Sequence, residues 1–139
     1  MPSLSGQFNP SIGVLLNINV LPHGLYSPGT MIPSTTPSFL ALVDTGASMT
    51  CISRQVVQTV SLQSLGMIQM LSATQTVPTH RYLVDLLLPF GNTGLLQQGI
   101  YVMEFQVAGT HPFQMLLGRD ILCQGVFTMS VDGHFTFSL

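Results

Sequence analysis

The sequence predicts an all-β fold, a small closed or sandwich-like barrel with one or two short helices. Apolar residues recur mostly with a period of two, as they do in strands that bury one face. The predicted strands are short and are separated by turn residues, which is typical of barrels and sandwiches. The length of 139 residues suits one domain. Neither a linker nor an internal repeat divides it, so we expect a single domain over residues 1–139.

The first predicted strands lie on either side of a long connection. Residues 1–10 are expected to be loose or to form an edge strand, and residues 12–21 are expected to form a largely apolar strand. Residues 22–38 contain four prolines and two glycines, which predicts a long exposed loop. Strand 39–43 then runs directly into a tight turn, and residues 49–52 return to extended structure.

The second half of the chain contains both predicted helices. Ser53 is the expected N-cap of a helix at residues 54–60, and a helical turn is expected at residues 119–123. Asp132 and Gly133 predict a two-residue type I′ hairpin turn. The remaining strands are predicted at residues 66–71, 81–88, 101–107, 115–117, 127–131 and 134–137.

The scarcity of charge excludes several classes of function. The chain has three Lys+Arg against five Asp+Glu, a formal net charge of −2. Its three scattered arginines cannot form a phosphate-neutralising patch, so nucleic acid is not an expected partner. No apolar run is long enough to cross a membrane. No basic segment of a secretory signal is present, which favours a cytoplasmic protein or a domain of a larger polyprotein. Cys51 and Cys123 are expected to be buried free thiols.

Five carboxylates are the main candidates for chemistry, and four of them have simple structural explanations. Asp85 and Glu104 fall in alternating strands and are expected to face solvent. Asp120 begins a helical turn, where a carboxylate suits the helix dipole. Asp132 belongs to the predicted hairpin turn. Asp44 is different, because a buried strand delivers it to a tight turn.

The turn after this strand reads Asp44-Thr45-Gly46-Ala47-Ser48. A buried carboxylate is costly unless hydrogen-bond donors surround it. Gly46 permits an unusual backbone angle and a close approach of main chain to Asp44, and the hydroxyls of Thr45 and Ser48 are possible donors. Asp44 is therefore a candidate catalytic residue. The alternative is that Asp44 only caps its own loop as an Asx-turn.

A second motif follows 70 residues downstream, an apolar strand that ends in glycine before a short helix. It reads Leu116-Leu117-Gly118-Arg119-Asp120. In this order after the Asp-Thr-Gly turn, it resembles the retropepsin-like aspartic proteases, more closely the bacterial and other non-viral members. The resemblance covers residues 11–139. It implies a single-lobed acid-protease barrel that dimerises, with this strand and helix as the floor of the active site.

The resemblance assigns a role to each residue of the first turn. Asp44 matches the catalytic aspartate, and Thr45 matches a threonine that braces the loop against the partner's loop. Gly46 and Ala47 match residues that position substrate. Ser48 stands where viral members have an acidic residue, which pairs with the arginine that matches Arg119.

Two consequences of the resemblance concern the edges of the site. The viral partner of Arg119 is absent, so Asp120 and Asp132 are the alternatives. Residues 72–79 match the flap that covers substrate, but they lack the glycines of viral flaps, which implies a stiffer lid. The flap residues are Ser72, Ala73, Thr74, Gln75, Thr76 and Val77.

The chemistry implied by the resemblance needs two carboxylates that share one proton around a water molecule. The chain has one Asp-Thr-Gly turn, so each subunit of a homodimer supplies one Asp44. We expect an aspartic endopeptidase that cuts polypeptides between apolar residues, with neither a metal nor another cofactor. The alternative is a catalytically silent dimerisation or peptide-binding module with the same fold.

Overall fold

The computed structural model describes residues 2–71, 74–106 and 111–139. Within them lie ten strands and two helices, and no helix there is long and apolar enough to span a membrane. The strands are β1 (Ser3–Gln7), β2 (Leu15–Pro22), β3 (Ser38–Val43), β4 (Cys51–Ser53), β5 (Met67–Leu71), β6 (Thr76–Leu88), β7 (Leu95–Phe105), β8 (Met115–Leu117), β9 (Val126–Met129) and β10 (His134–Ser138), and the helices are α1 (Arg54–Val60) and α2 (Arg119–Leu122).

Six strands form a closed barrel, which confirms the all-β prediction. They pair in the order β2-β3-β8-β4-β7-β6, and β2 also pairs with β6, which completes the ring. Strand β5 pairs with the first half of β6 and extends outward as a hairpin. The β3–β8 and β4–β7 pairs are parallel. The ends of β3 and β8 therefore meet at one edge of the barrel, where the Asp-Thr-Gly turn and Gly118 follow them.

The barrel is filled by apolar side chains from alternate strand positions. A second sheet, in the order β1-β10-β9, packs against this core through Phe135 and Phe137. The rings of Phe90 and Phe137 meet edge to face at 5.4 Å. Strand β1 is the outer strand of this sheet and pairs with β10. The completely buried core side chains include Ile18, Ile52, Val84, Leu86, Met115, Leu117 and Ile121.

Local sequence signals specify helix α1 well. The predicted N-cap Ser53 accepts a hydrogen bond from the Val56 backbone N–H at 3.4 Å. The helix begins at Arg54 and ends at Val60, as predicted. Ser61 ends it in a left-handed conformation with φ of 59°.

The prediction that Asp85 and Glu104 face solvent is wrong. Asp85 is 1% exposed and Glu104 is 7% exposed. The β6–β7 register shifts between Val84 and Leu86, so the alternation that predicts outward-facing residues breaks at Asp85. Glu104 is stabilised by the Tyr82 hydroxyl, which donates at 2.8 Å. Burial and this hydrogen bond raise the pKa of Tyr82 to about 12.

Two other local predictions are also wrong. The hairpin between β9 and β10 is not a type I′ turn, because Gly133 has a positive φ and Asp132 does not. Gly133 N–H donates to Ser130 O at 3.1 Å, so the loop has three residues and ends in a glycine bulge. Cys123 is exposed, since it lies at the surface end of α2, whereas Cys51 is buried; both thiols are free.

Candidate active site

Asp44 lies at the end of the barrel strand β3. Its backbone N–H donates to the Leu117 carbonyl at 2.9 Å, and the Val43 N–H donates to Val14 at 2.9 Å. The residue itself is half-buried. Strand β8 therefore fixes the backbone of Asp44, and Val14 just before β2 fixes the preceding residue, while part of Asp44 stays open to solvent.

The turn after Asp44 closes tightly on its carboxylate. Ala47 N–H donates to the Asp44 carbonyl at 3.2 Å, and Gly46 N–H donates to Oδ1 of Asp44 at 2.9 Å. A Cβ at Gly46 would lie 3.2 Å from that oxygen, as the expected close approach requires. The expected unusual backbone angle is absent, because Gly46 does not have a positive φ. The Asx-turn geometry is present, and it leaves the carboxylate accessible.

Gly118 lets the second motif pack directly under this turn. A Cβ at Gly118 would lie 2.6 Å from the Met49 carbonyl carbon and 3.0 Å from Ala47 O. Any side chain would push the two segments apart. The Arg119 N–H also donates to Ala47 O at 2.9 Å. Leu117 is buried and Leu116 is half-buried, so the sequence motif forms a packed support beneath the turn.

Thr50 connects the two motifs, and sequence reasoning missed it. Its hydroxyl donates to Oδ1 of Asp120 at 2.8 Å, and its N–H donates to Oδ2 at 3.0 Å. The same hydroxyl oxygen accepts from the Gly118 N–H at 3.1 Å. Thr50 is completely buried. A hydroxyl residue next to the apolar segment Cys51-Ile52 was the available signal, because a buried hydroxyl needs partners.

Arg119 has a different partner from the two that were expected. Its guanidinium donates to the Thr45 carbonyl oxygen at 2.9 Å. The Asp120 carboxylate is occupied by Thr50, and Asp132 contacts Ser130 and His134 in the β9–β10 loop. Neither of these two carboxylates neutralises the positive charge of Arg119 within the chain. Arg119 instead braces the Asp44 turn through main chain.

The thiol nearest the turn is unsuited to nucleophilic chemistry. Burial raises the pKa of Cys51 to about 11, with further contributions from the negative charges of Asp120 and Asp44. A thiol with this pKa stays protonated near neutral pH. Among the described residues, no three His, Cys, Asp or Glu side chains are grouped so that they could hold a metal ion. The carboxylate of Asp44 is therefore the group best placed for chemistry at this edge of the barrel.

The predicted flap coincides with the β5–β6 hairpin. Leu71 pairs with Thr76 and Met70 pairs with Val77, so the last two flap residues belong to β6. Thr74 and Gln75 lie in the bend before it. Ser72 and Ala73 lie outside the described residues. The hairpin exposes apolar side chains, with Leu71 82% exposed and Val77 38% exposed.

Comparison with known proteins points to one family and one fold. A family model described as aspartyl protease matches residues 36–121, which include both motifs. Twenty-one chains of solved structures match. Among them is a retropepsin-like aspartic protease from Rickettsia conorii, 12% identical, with a TM-score of 0.64 over 97% of this chain and 90% of that chain. This likeness shows the fold. Among curated proteins, none matches.

Proposed function

The chain belongs to the retropepsin-like aspartyl protease family, and from this premise we propose that it is an endopeptidase that acts as a homodimer. The observation that carries the proposal is the state of Asp44. Its backbone is fixed to Leu117, one carboxylate oxygen accepts from Gly46, and the residue remains partly open to solvent. Such a carboxylate is held in a fixed position and is still available to react.

The reaction would proceed between the Asp44 side chains of two subunits. In the proposed arrangement the two carboxyl groups contact the same water molecule. Two negative charges at that separation repel each other strongly, so the pair shares one proton. The ionised Asp44 accepts a proton from water as the water oxygen attacks the peptide carbonyl carbon. The protonated Asp44 donates to the carbonyl oxygen. The resulting diol then breaks its C–N bond as the leaving nitrogen takes a proton from one carboxyl group and a diol hydroxyl returns its proton to the other, which restores the shared proton.

The homodimer is supported by surfaces that a single chain leaves uncovered. Thr45, Gly46 and Ser48 are exposed beside Asp44. Strand β9 is an outer strand, and Val126 in it is 64% exposed. An exposed apolar edge strand is a ready site for pairing with another chain. We propose that a second copy covers these surfaces and brings the two Asp44 side chains together.

Apolar residues beside Asp44 favour an apolar cleavage site. Leu42 lies two residues before Asp44 and is the cross-strand partner of Leu116. Both leucines are half-buried, so they present apolar surface next to the carboxylate. We propose that they contact the substrate side chains that flank the cut.

Peptide cleavage by the parent and by Asp44→Asn tests this function. The substitution removes the acid–base pair, so kcat should fall by about 10²–10⁴-fold. Cleavage by the parent should be fastest at acidic pH, because one carboxyl of the pair must hold a proton. Asp132→Asn is the matched control, since Asp132 also belongs to a turn that contains a glycine and lies in an exposed loop. Equal cleavage by Asp44→Asn and the parent would contradict the proposal.

A further inference from the structure

A row of cross-strand neighbours leads away from the Asp44 strand across the barrel wall. Leu42 pairs with Leu116, Leu116 with Cys51, Cys51 with Met103, and Met103 with Arg81. Side chains of paired residues point to the same face of a sheet. The row therefore crosses five strands on one face, from the strand that carries Asp44 to Arg81 in β6.

Arg81 differs from the other two cations of the chain. Arg54 lies 3.5 Å from Glu104, and Arg119 donates to Thr45 O at 2.9 Å. The Nε of Arg81 is buried and has no hydrogen-bond partner among the described residues. A buried donor without an acceptor is destabilising, and such a group calls for an explanation.

An aromatic ring holds the Arg81 guanidinium in place. The guanidinium carbon lies 4.9 Å from the centroid of the Tyr101 ring. A cation–π contact at this distance helps to position the guanidinium over the ring. Cys51 and Met103 in the middle of the row are buried, but Tyr101 is 48% exposed, so the pair is accessible from solvent at the far end of the row.

We propose that Arg81 and Tyr101 form a subsite for an acidic side chain of the peptide substrate. This inference rests on the proposed peptidase function. A carboxylate fits the fork of a guanidinium with two parallel hydrogen bonds. Because the Nε is buried, the two parallel bonds would come from the terminal nitrogens of the guanidinium. The substrate pattern is then apolar residues at the cut and an Asp or Glu farther along the chain.

The row also limits how far the acidic residue lies from the cut. Four strand-to-strand steps of about 4.8 Å place Arg81 at most about 19 Å from Leu42. An extended peptide advances about 3.3 Å per residue. The acidic residue should therefore lie within about six residues of the cleaved bond, beyond the apolar side chains that meet Leu42 and Leu116.

A set of matched peptides tests the subsite. Each peptide has the same apolar cut site and carries Glu at one of the positions within six residues of it, and its partner carries Gln there. At one position the parent should cut the Glu peptide about tenfold faster in kcat/KM. In Arg81→Gln this ratio should fall to about one. Arg54→Gln, which removes the same charge from α1, should keep the ratio of the parent.

Binding to the Asp44→Asn protein separates failure of the subsite from failure of the enzyme. Fluorescence anisotropy of the uncut Glu and Gln peptides measures the subsite without turnover. Tighter binding of the Glu peptide, lost in Asp44→Asn/Arg81→Gln, supports the subsite even if the parent cuts neither peptide. The subsite is overturned if the Glu and Gln peptides are cleaved at equal rates and bound equally tightly at every position. A Glu preference that survives Arg81→Gln overturns it as well.

Discussion

Asp44 follows β3 and Asp85 lies in β6, the two barrel strands on either side of β2, yet the surroundings of these carboxylates differ in almost every respect. Asp44 lies level with Gly13, before β2 begins, and Asp85 pairs with Leu21 near the other end of β2. About eight residues of extended chain, roughly 26 Å, separate the two levels. Asp85 accepts hydrogen bonds from His23 Nδ1 at 2.8 Å and from two backbone N–H groups, those of Gly24 at 3.0 Å and Gly99 at 2.8 Å.

The difference separates a structural carboxylate from one available for chemistry. Asp85 is 1% exposed, and its oxygens are surrounded by donors from three segments. Burial alone would raise the pKa of Asp85, but the hydrogen bonds from His23, Gly24 and Gly99 outweigh it and lower the pKa. Asp44 is half-buried, and its carboxylate accepts from Gly46. Asp85 therefore stabilises the fold, whereas Asp44 remains partly open to solvent.

The largest effect expected from this comparison is on stability. Asp85→Asn removes the charge that three donors stabilise, so the free energy of unfolding should fall by about 3 kcal/mol. Asp44→Asn should change it by less than about 1 kcal/mol, since its carboxylate is partly solvated. Urea unfolding of both variants measures this. Equal destabilisation by the two substitutions would contradict the difference between Asp44 and Asp85.

The stabilising effect of Asp85 should disappear in acid. Because the pKa of Asp85 is lower in the folded chain than in the unfolded chain, its contribution is complete above about pH 4, the ordinary carboxyl value. It is lost as the pH falls through the folded value. Melting temperatures of the parent and Asp85→Asn should therefore converge below about pH 4. A difference that stays constant down to pH 2 would show that folding does not lower the pKa of Asp85.

A smaller effect should follow from loosening the support of the Asp44 turn. Thr50→Val keeps the shape but removes the hydroxyl shared by Asp120 and Gly118. The cost should be about 1–2 kcal/mol of stability, with a several-fold loss of kcat. Thr136→Val, at an exposed position in β10, is the control. Unchanged kcat in a destabilised Thr50→Val would limit Thr50 to a structural role.

Features set by near neighbours in sequence were predictable, and features set by distant ones were not. Helix α1 follows from Ser53, and the strand and turn of the candidate active site follow from a local apolar run and Asp44. The burial of Asp85 depends on His23 and Gly99, which lie in other strands and loops. Arg119 likewise reaches Thr45 only because the start of α2 packs against the turn that follows Asp44. Strand alternation alone predicts neither contact, since it describes one strand at a time.

In the proposed dimer, both Asp44 side chains serve one reaction. Mixing parent and Asp44→Asn subunits in equal amounts, with time to exchange, tests this directly. Only about one quarter of random pairs then contain two intact copies. Peptide cleavage should therefore fall to about a quarter of the activity of the same total amount of parent. Activity of one half, as expected if each chain acts alone, would contradict it.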